Sequence, residues 1–130
     1  MRKVEALIPA AITAVKNKMA DDGNVNSAYK GYISSLGAGI IQSGLLPTLA
    51  MYKGNEGSDK KKANTAFLLE AIYEVVKSKP STPIMRGEGL FEYALRASQI
   101  ENNRQEVIDE ILNASIAIKL AIRTFKMVES

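Results

Sequence analysis

Residues 40–54 read IIQSGLLPTLAMYKG, and the architecture turns on what this segment forms. It closes a 22-residue run, 31–52, without one charged side chain. Such a run can be a bilayer span, a buried helix, or two helices meeting at a break. A span needs about 20 densely apolar residues. Here Gly31, Gly37, Gly39 and Gly44 alternate with Ser34, Ser35, Gln42, Ser43 and Pro47, so the middle of the run is polar. Gly44 followed by Leu45, Leu46 and Pro47 instead fits a helix end, a tight turn, and a new helix with proline in its first turn. Ser43 could cap that new helix. The expectation is two buried helices joined at a glycine corner, with Gly44 at positive φ and no membrane partner.

Working outward, the helix before the corner starts near Asn24 or Asn26, either of which can cap it. It turns Tyr29, Tyr32, Ile33, Leu36, Ile40 and Ile41 inward. The helix after the corner covers 45–53. A first helix over 2–22 carries Val4, Leu7, Ile8, Ala11, Ile12, Val15 and Met19 at helical spacing. Pro9 in its early turns requires a kink or a late start. Glu5 and Pro9 interrupt any signal-peptide core, so no targeting segment is expected. GNEGSDKKK, residues 54–62, reads as a solvent loop, with Ser58 or Asp59 capping a fourth helix that reaches Lys77. Leu68, Leu69, Ile72, Val75 and Val76 form its stripe. A Pro/Gly linker, 78–89, precedes a short helix with Phe91, Ala94 and Leu95 inward.

The last helix, 102–127, is the longest. Acids Glu106, Asp109 and Glu110 lie near its start and Lys119, Arg123 and Lys126 near its end, the order that the helix dipole favours. Val107, Ile111, Ala114, Ile118, Ile122 and Phe125 make one stripe, and Ile108, Leu112, Ile116 and Leu120 widen it. That helix is therefore either central or offers a second face to a partner. No period-2 segment and no repeat appear. The fold class is all-α, a single-domain bundle of five to six helices over residues 1–130.

The 130 residues are 46% hydrophobic and 24% charged, which supports a packed core rather than disorder. Cys and His are both absent. Disulfides, Cys/His zinc sites and Cys–His or Ser–His–Asp nucleophiles are therefore excluded. The net charge is +3, and residues 1–62 hold nine basic against five acidic groups. Lys60, Lys61 and Lys62, with Lys53, cluster where they oppose a helix dipole, so local stability does not explain them. A solvated loop and a phosphate-backbone site are both compatible with the cluster, and Lys16, Lys18 and Lys30 could extend the latter. No aromatic alternates with these lysines, so backbone contact without base readout is expected. Glu106, Asp109 and Glu110 could hold a divalent ion or simply be solvated. GAGIIQSG lacks the strand and the Lys–Ser/Thr that a phosphate loop requires. No cofactor and no metal are expected.

Residues 28–54, AYKGYISSLGAGIIQSGLLPTLAMYKG, resemble the signature of the small α-helical subunit of the Cmr complex, the type III-B CRISPR effector. The matching positions are Tyr29, Tyr32, Ile40, Gly44, Leu45, Leu46, Thr48, Leu49, Ala50 and Tyr52. The resemblance implies a non-catalytic, cytoplasmic building block of antiviral defence. It would stack on itself and on other effector subunits while its basic surface contacts guide or target RNA. After residue 54 the likeness thins, since IAIKLAIRTFK stands where family members often carry tryptophan and paired arginines. The residues alone leave a generic helical adaptor and a carboxylate-dependent enzyme as alternatives.

Overall fold

The computed structural model describes residues 2–53, 62–80, 82–100 and 102–129. In chain order it contains α1 (Arg2–Lys18), β1 (Asn24–Asn26), α2 (Ala28–Ser43), α3 (Leu45–Lys53), α4 (Thr65–Ser78), α5 (Leu90–Ser98), α6 (Arg104–Ile122) and β2 (Lys126–Val128). The expected all-α bundle is present, with six helices among the described residues. α6 is central: it packs on α1, α2, α4 and α5, and Ile111, Ile118 and Ala121 are completely buried. α1 runs beside it in the same sense, since the first turns of both line one cavity and the strands that follow them pair in parallel.

The corner forms as its glycine predicts. Gly44 has φ +99° and ψ 161°, a region that only glycine occupies without strain. Its N–H closes α2 on the Ile40 carbonyl at 3.1 Å, and its own carbonyl accepts from Thr48 N–H at 3.4 Å to open α3. One residue thus ends one helix and starts the next. Ser43 remains inside α2, so glycine backbone, not the Ser43 hydroxyl, caps α3. Gly39 is small for a different reason: a Cβ there would stand 3.0 Å from the buried Thr48 side chain, where the two helices approach.

Several expectations are corrected. Ile41 is 78% exposed rather than inward. Neighbouring residues of a helix lie about 100° apart, and the stripe Tyr29–Ile33–Leu36–Ile40 already faces the core. Leu95 is exposed for the same reason, beside the buried stripe Leu90, Tyr93, Ala94 and Ala97. α1 stops at Lys18 and α6 at Ile122, because the chain after each leaves helix to form a strand. Val25 pairs in parallel with Met127, and Ser27 N–H donates to the Val128 carbonyl at 2.8 Å. Three-residue strands are too short for a period-2 signal. α2 has Ser27 at its N-cap, although the Asn26 side chain does accept from Ala28 N–H at 2.9 Å. α4 begins at Thr65, with the Asn64 side chain accepting from Ala66 N–H at 2.8 Å. The expected caps, Ser58 and Asp59, lie outside the described residues. Pro9 sits inside α1 with its ring exposed, so the Glu5 carbonyl it leaves unpaired is on the water side.

Two substitutions check this corner. Gly44→Val should cost about 1–3 kcal/mol, read as a lower Tm, because a β-branched residue cannot adopt that backbone. Ile41→Ser should change stability by less than about 0.5 kcal/mol, as for an ordinary surface site.

Candidate nucleic-acid interface

The basic residues singled out by sequence occupy different elements, and two sets of interactions draw those elements together. The first is a group of tyrosines. Tyr29, completely buried on α2, accepts from the Asn64 N–H at 3.2 Å, just before α4. Its ring meets Tyr32 edge to face, with centroids 5.8 Å apart. The Tyr52 hydroxyl, near the end of α3, donates to the Tyr32 carbonyl at 2.8 Å. The Thr65 hydroxyl in turn donates to the Tyr52 carbonyl at 2.7 Å. The start of α2, the end of α3 and the start of α4 are therefore tied, and with them Lys30, Lys53 and Lys62.

The second is the strand pair. It brings the end of α6 to the end of α1 and the start of α2, with Lys126 opposite Asn24. Lys16 and Lys30 are exposed there, as are Arg123 and Lys126. Arg123 and Lys126 are the residues that sequence reasoning missed as partners of this group. Their only local signal was their place at a helix terminus, which dipole complementarity had already explained.

The lysines are not equivalent. Lys53 is bound to the Glu92 carboxylate, with its Nζ 5.3 Å from the Phe91 ring centre. Lys18 is half-buried, 3.9 Å from Glu74, which also takes Lys77 at 3.0 Å. Lys16, Lys30 and Lys62 are exposed and make no ion pair among the described residues. Lys60 and Lys61 lie outside the described residues. Asp21 and Asp22, in the turn before β1, interrupt the positive surface.

The carboxylates of α6 sit at its other end. They line a cavity of about 400 Å³ with Lys3, Leu7 and Val76. Asp109 accepts from Gln105 at 2.9 Å and Glu110 from the Tyr93 hydroxyl, so each is already engaged. Among the described residues, no group of three or more Asp and Glu side chains is placed to hold a metal. Among the same residues, no helix is long and apolar enough to cross a membrane.

The chain is a helical bundle whose helix ends are tied by tyrosines and a strand pair, with exposed basic groups where α1, α2 and the end of α6 meet. A family model described as CRISPR-associated protein (Cas_Cmr5) matches residues 6–123, and the chain belongs to this family of small Cmr subunits. No curated protein and no solved structure matches it.

The tyrosine network has a measurable signature. Burial pushes the Tyr29 hydroxyl above the ordinary 10.0, against the lowering effect of the Asn64 N–H. Burial raises Tyr52 likewise, opposed by a hydrogen bond with Ser35. Their folded values exceed the unfolded ones, so their stabilisation is complete below about pH 10 and is lost as pH rises through the folded values. An alkaline absorbance titration should show a fraction of the tyrosines ionising late, together with unfolding. Tyr29→Phe, which leaves the Asn64 N–H unpaired, should cost about 1–3 kcal/mol by thermal melting.

Proposed function

We propose that this chain is a non-catalytic small subunit of a type III-B RNA-guided effector. In this reading it stacks in a short filament and lies with its basic end along the phosphate backbone of guide or target RNA. The observation that carries the reading is the gathering of exposed basic groups. Lys16, Lys30, Arg123 and Lys126 lie where α1, α2 and the strand pair meet, and Lys62 precedes the segment that Asn64 ties to α2. Glu106, Asp109 and Glu110 stand at the other end of α6 beside Lys3 and Lys79. Exposed, unpaired ammonium and guanidinium groups gain affinity by displacing counterions from phosphates. Lys16, Lys30 and Lys62 therefore take the leading role, with Lys60 and Lys61 adjoining Lys62 in sequence. Lys18 and Lys53 first have to leave, or share, Glu74 and Glu92.

The stacking half of the proposal draws on the corner. Ile41 and Met51 are 78% and 79% exposed on helices whose run of 22 residues carries no charge. Exposed apolar side chains offer nothing to a phosphate and suit a protein neighbour. They also support the second reading, a helical adaptor that binds protein without RNA.

Binding of single-stranded RNA across a salt series separates the two. Replacing Lys16, Lys30 and Lys62 together by Ala should weaken binding and flatten the slope of log K against log salt by about two. An unchanged slope, with the fold intact by circular dichroism, favours the adaptor.

A further inference from the structure

Among the lysines that the tyrosine network draws together, Lys53 differs from Lys30 and Lys62: it holds a carboxylate, that of Glu92. Lys53 ends α3, and Glu92 lies in the first turn of α5. The glutamate does not depend on the lysine for its position. Its Oε1 accepts from the Gly89 N–H at 3.1 Å, the bond that closes the start of α5. A Cβ at residue 89 would stand 2.8 Å from that oxygen, so glycine leaves the carboxylate its seat. Oε2 takes the Lys53 ammonium. That ammonium also lies 5.3 Å from the Phe91 ring centre, so α5 offers it an anion and an aromatic face together.

Stability does not account for this arrangement. The two side chains are 55% and 41% exposed, and an ion pair so open to water contributes little to folding. A weak, exposed pair still competes with any other anion that approaches the lysine. Tyr52, next to Lys53, is bonded to Tyr32 on α2 and to Thr65 at the start of α4. The base of the Lys53 stem is thus fixed to the helix that carries Lys30 and to the helix that Lys62 precedes. An ammonium on a flexible four-carbon stem can change partners while its backbone stays in place. The carboxylate cannot follow, because the bond to Gly89 holds it on α5.

We propose that Glu92 is an internal mask for Lys53. It occupies the ammonium in the free chain and withholds it from a phosphate backbone, which sets the affinity of the basic surface below what its lysines allow. This inference rests on the RNA-binding reading above and adds to it a residue that restrains binding.

The test is binding of a fluorescein-labelled oligouridylate to the full chain across a salt series. Glu92→Gln keeps an oxygen for the Gly89 N–H, since glutamine serves at this helix position as glutamate does, and removes only the charge. It should bind about twofold to fivefold more tightly than wild type, the equivalent of an exposed ion pair. Its slope of log K against log salt should steepen by about 0.7, for one further phosphate neutralised. Adding Lys53→Ala should return both values to those of wild type, because the charge set free is gone. Equal binding by wild type and Glu92→Gln, with wild-type affinity still dependent on Lys16, Lys30 and Lys62, would overturn the mask and leave the RNA reading standing. A gain that survives Lys53→Ala would also overturn it, since that gain would reflect only the loss of a negative charge. No binding by wild type and Glu92→Gln alike would overturn both readings.

Discussion

One buried hydroxyl organises much of this molecule. Tyr29 Oη accepts from the backbone N–H of Asn64, 35 residues further along the chain, and so fixes where α4 begins relative to α2. The N–H it satisfies would otherwise be an unpaired backbone donor beside a helix start. Asn64 then uses its own side chain to cap α4, so one residue is held from outside and organises inward. Tyr52 and Thr65 extend the chain of bonds to the end of α3. Without the Tyr29 contact the start of α4 loses its direct bond to α2 and keeps only the indirect link through Thr65, Tyr52 and Tyr32.

The second constraint is topological. A three-residue parallel pair joins segments about a hundred residues apart and brings the ends of α1 and α6 together. Parallel pairing is weak by itself, and a two-stranded sheet of this length has no independent stability. Here it acts as a clasp on helices that already share a core, with Val25 completely buried beneath it. α6 carries acids first and bases last, so aligning its end with the end of α1 brings Arg123 and Lys126 to Lys16 and Lys30, with Asp21 and Asp22 nearby. Glu106, Asp109 and Glu110 are left at the other end with Lys3 and Lys79.

How far the sequence could be read depended on the range of the interaction. The glycine corner was legible because positive φ is a property of one residue, and α3 has the expected bounds. The apolar stripes of α1, α4 and α6 were legible because helical periodicity is local. Ile41 and Leu95 were misread because two adjacent apolar residues say nothing about which one faces the core. The strand pair, and with it Arg123 and Lys126 as companions of Lys16 and Lys30, could not be read from three-residue segments without periodicity. The pairing of Lys53 with Glu92 and of Lys18 with Glu74 was equally hidden. Both are long-range, and both change what a lysine can do.

We propose the clasped end of the bundle as the face that meets RNA. The first measurement is ultraviolet cross-linking of the effector complex purified from its native cells, with mass spectrometry of the RNA-linked peptides. Adducts are expected on peptides containing Lys16, Lys30, Lys62, Arg123 or Lys126. Adducts confined to the first turns of α6, around Glu106 and Asp109, or a subunit recovered with protein alone, would contradict it.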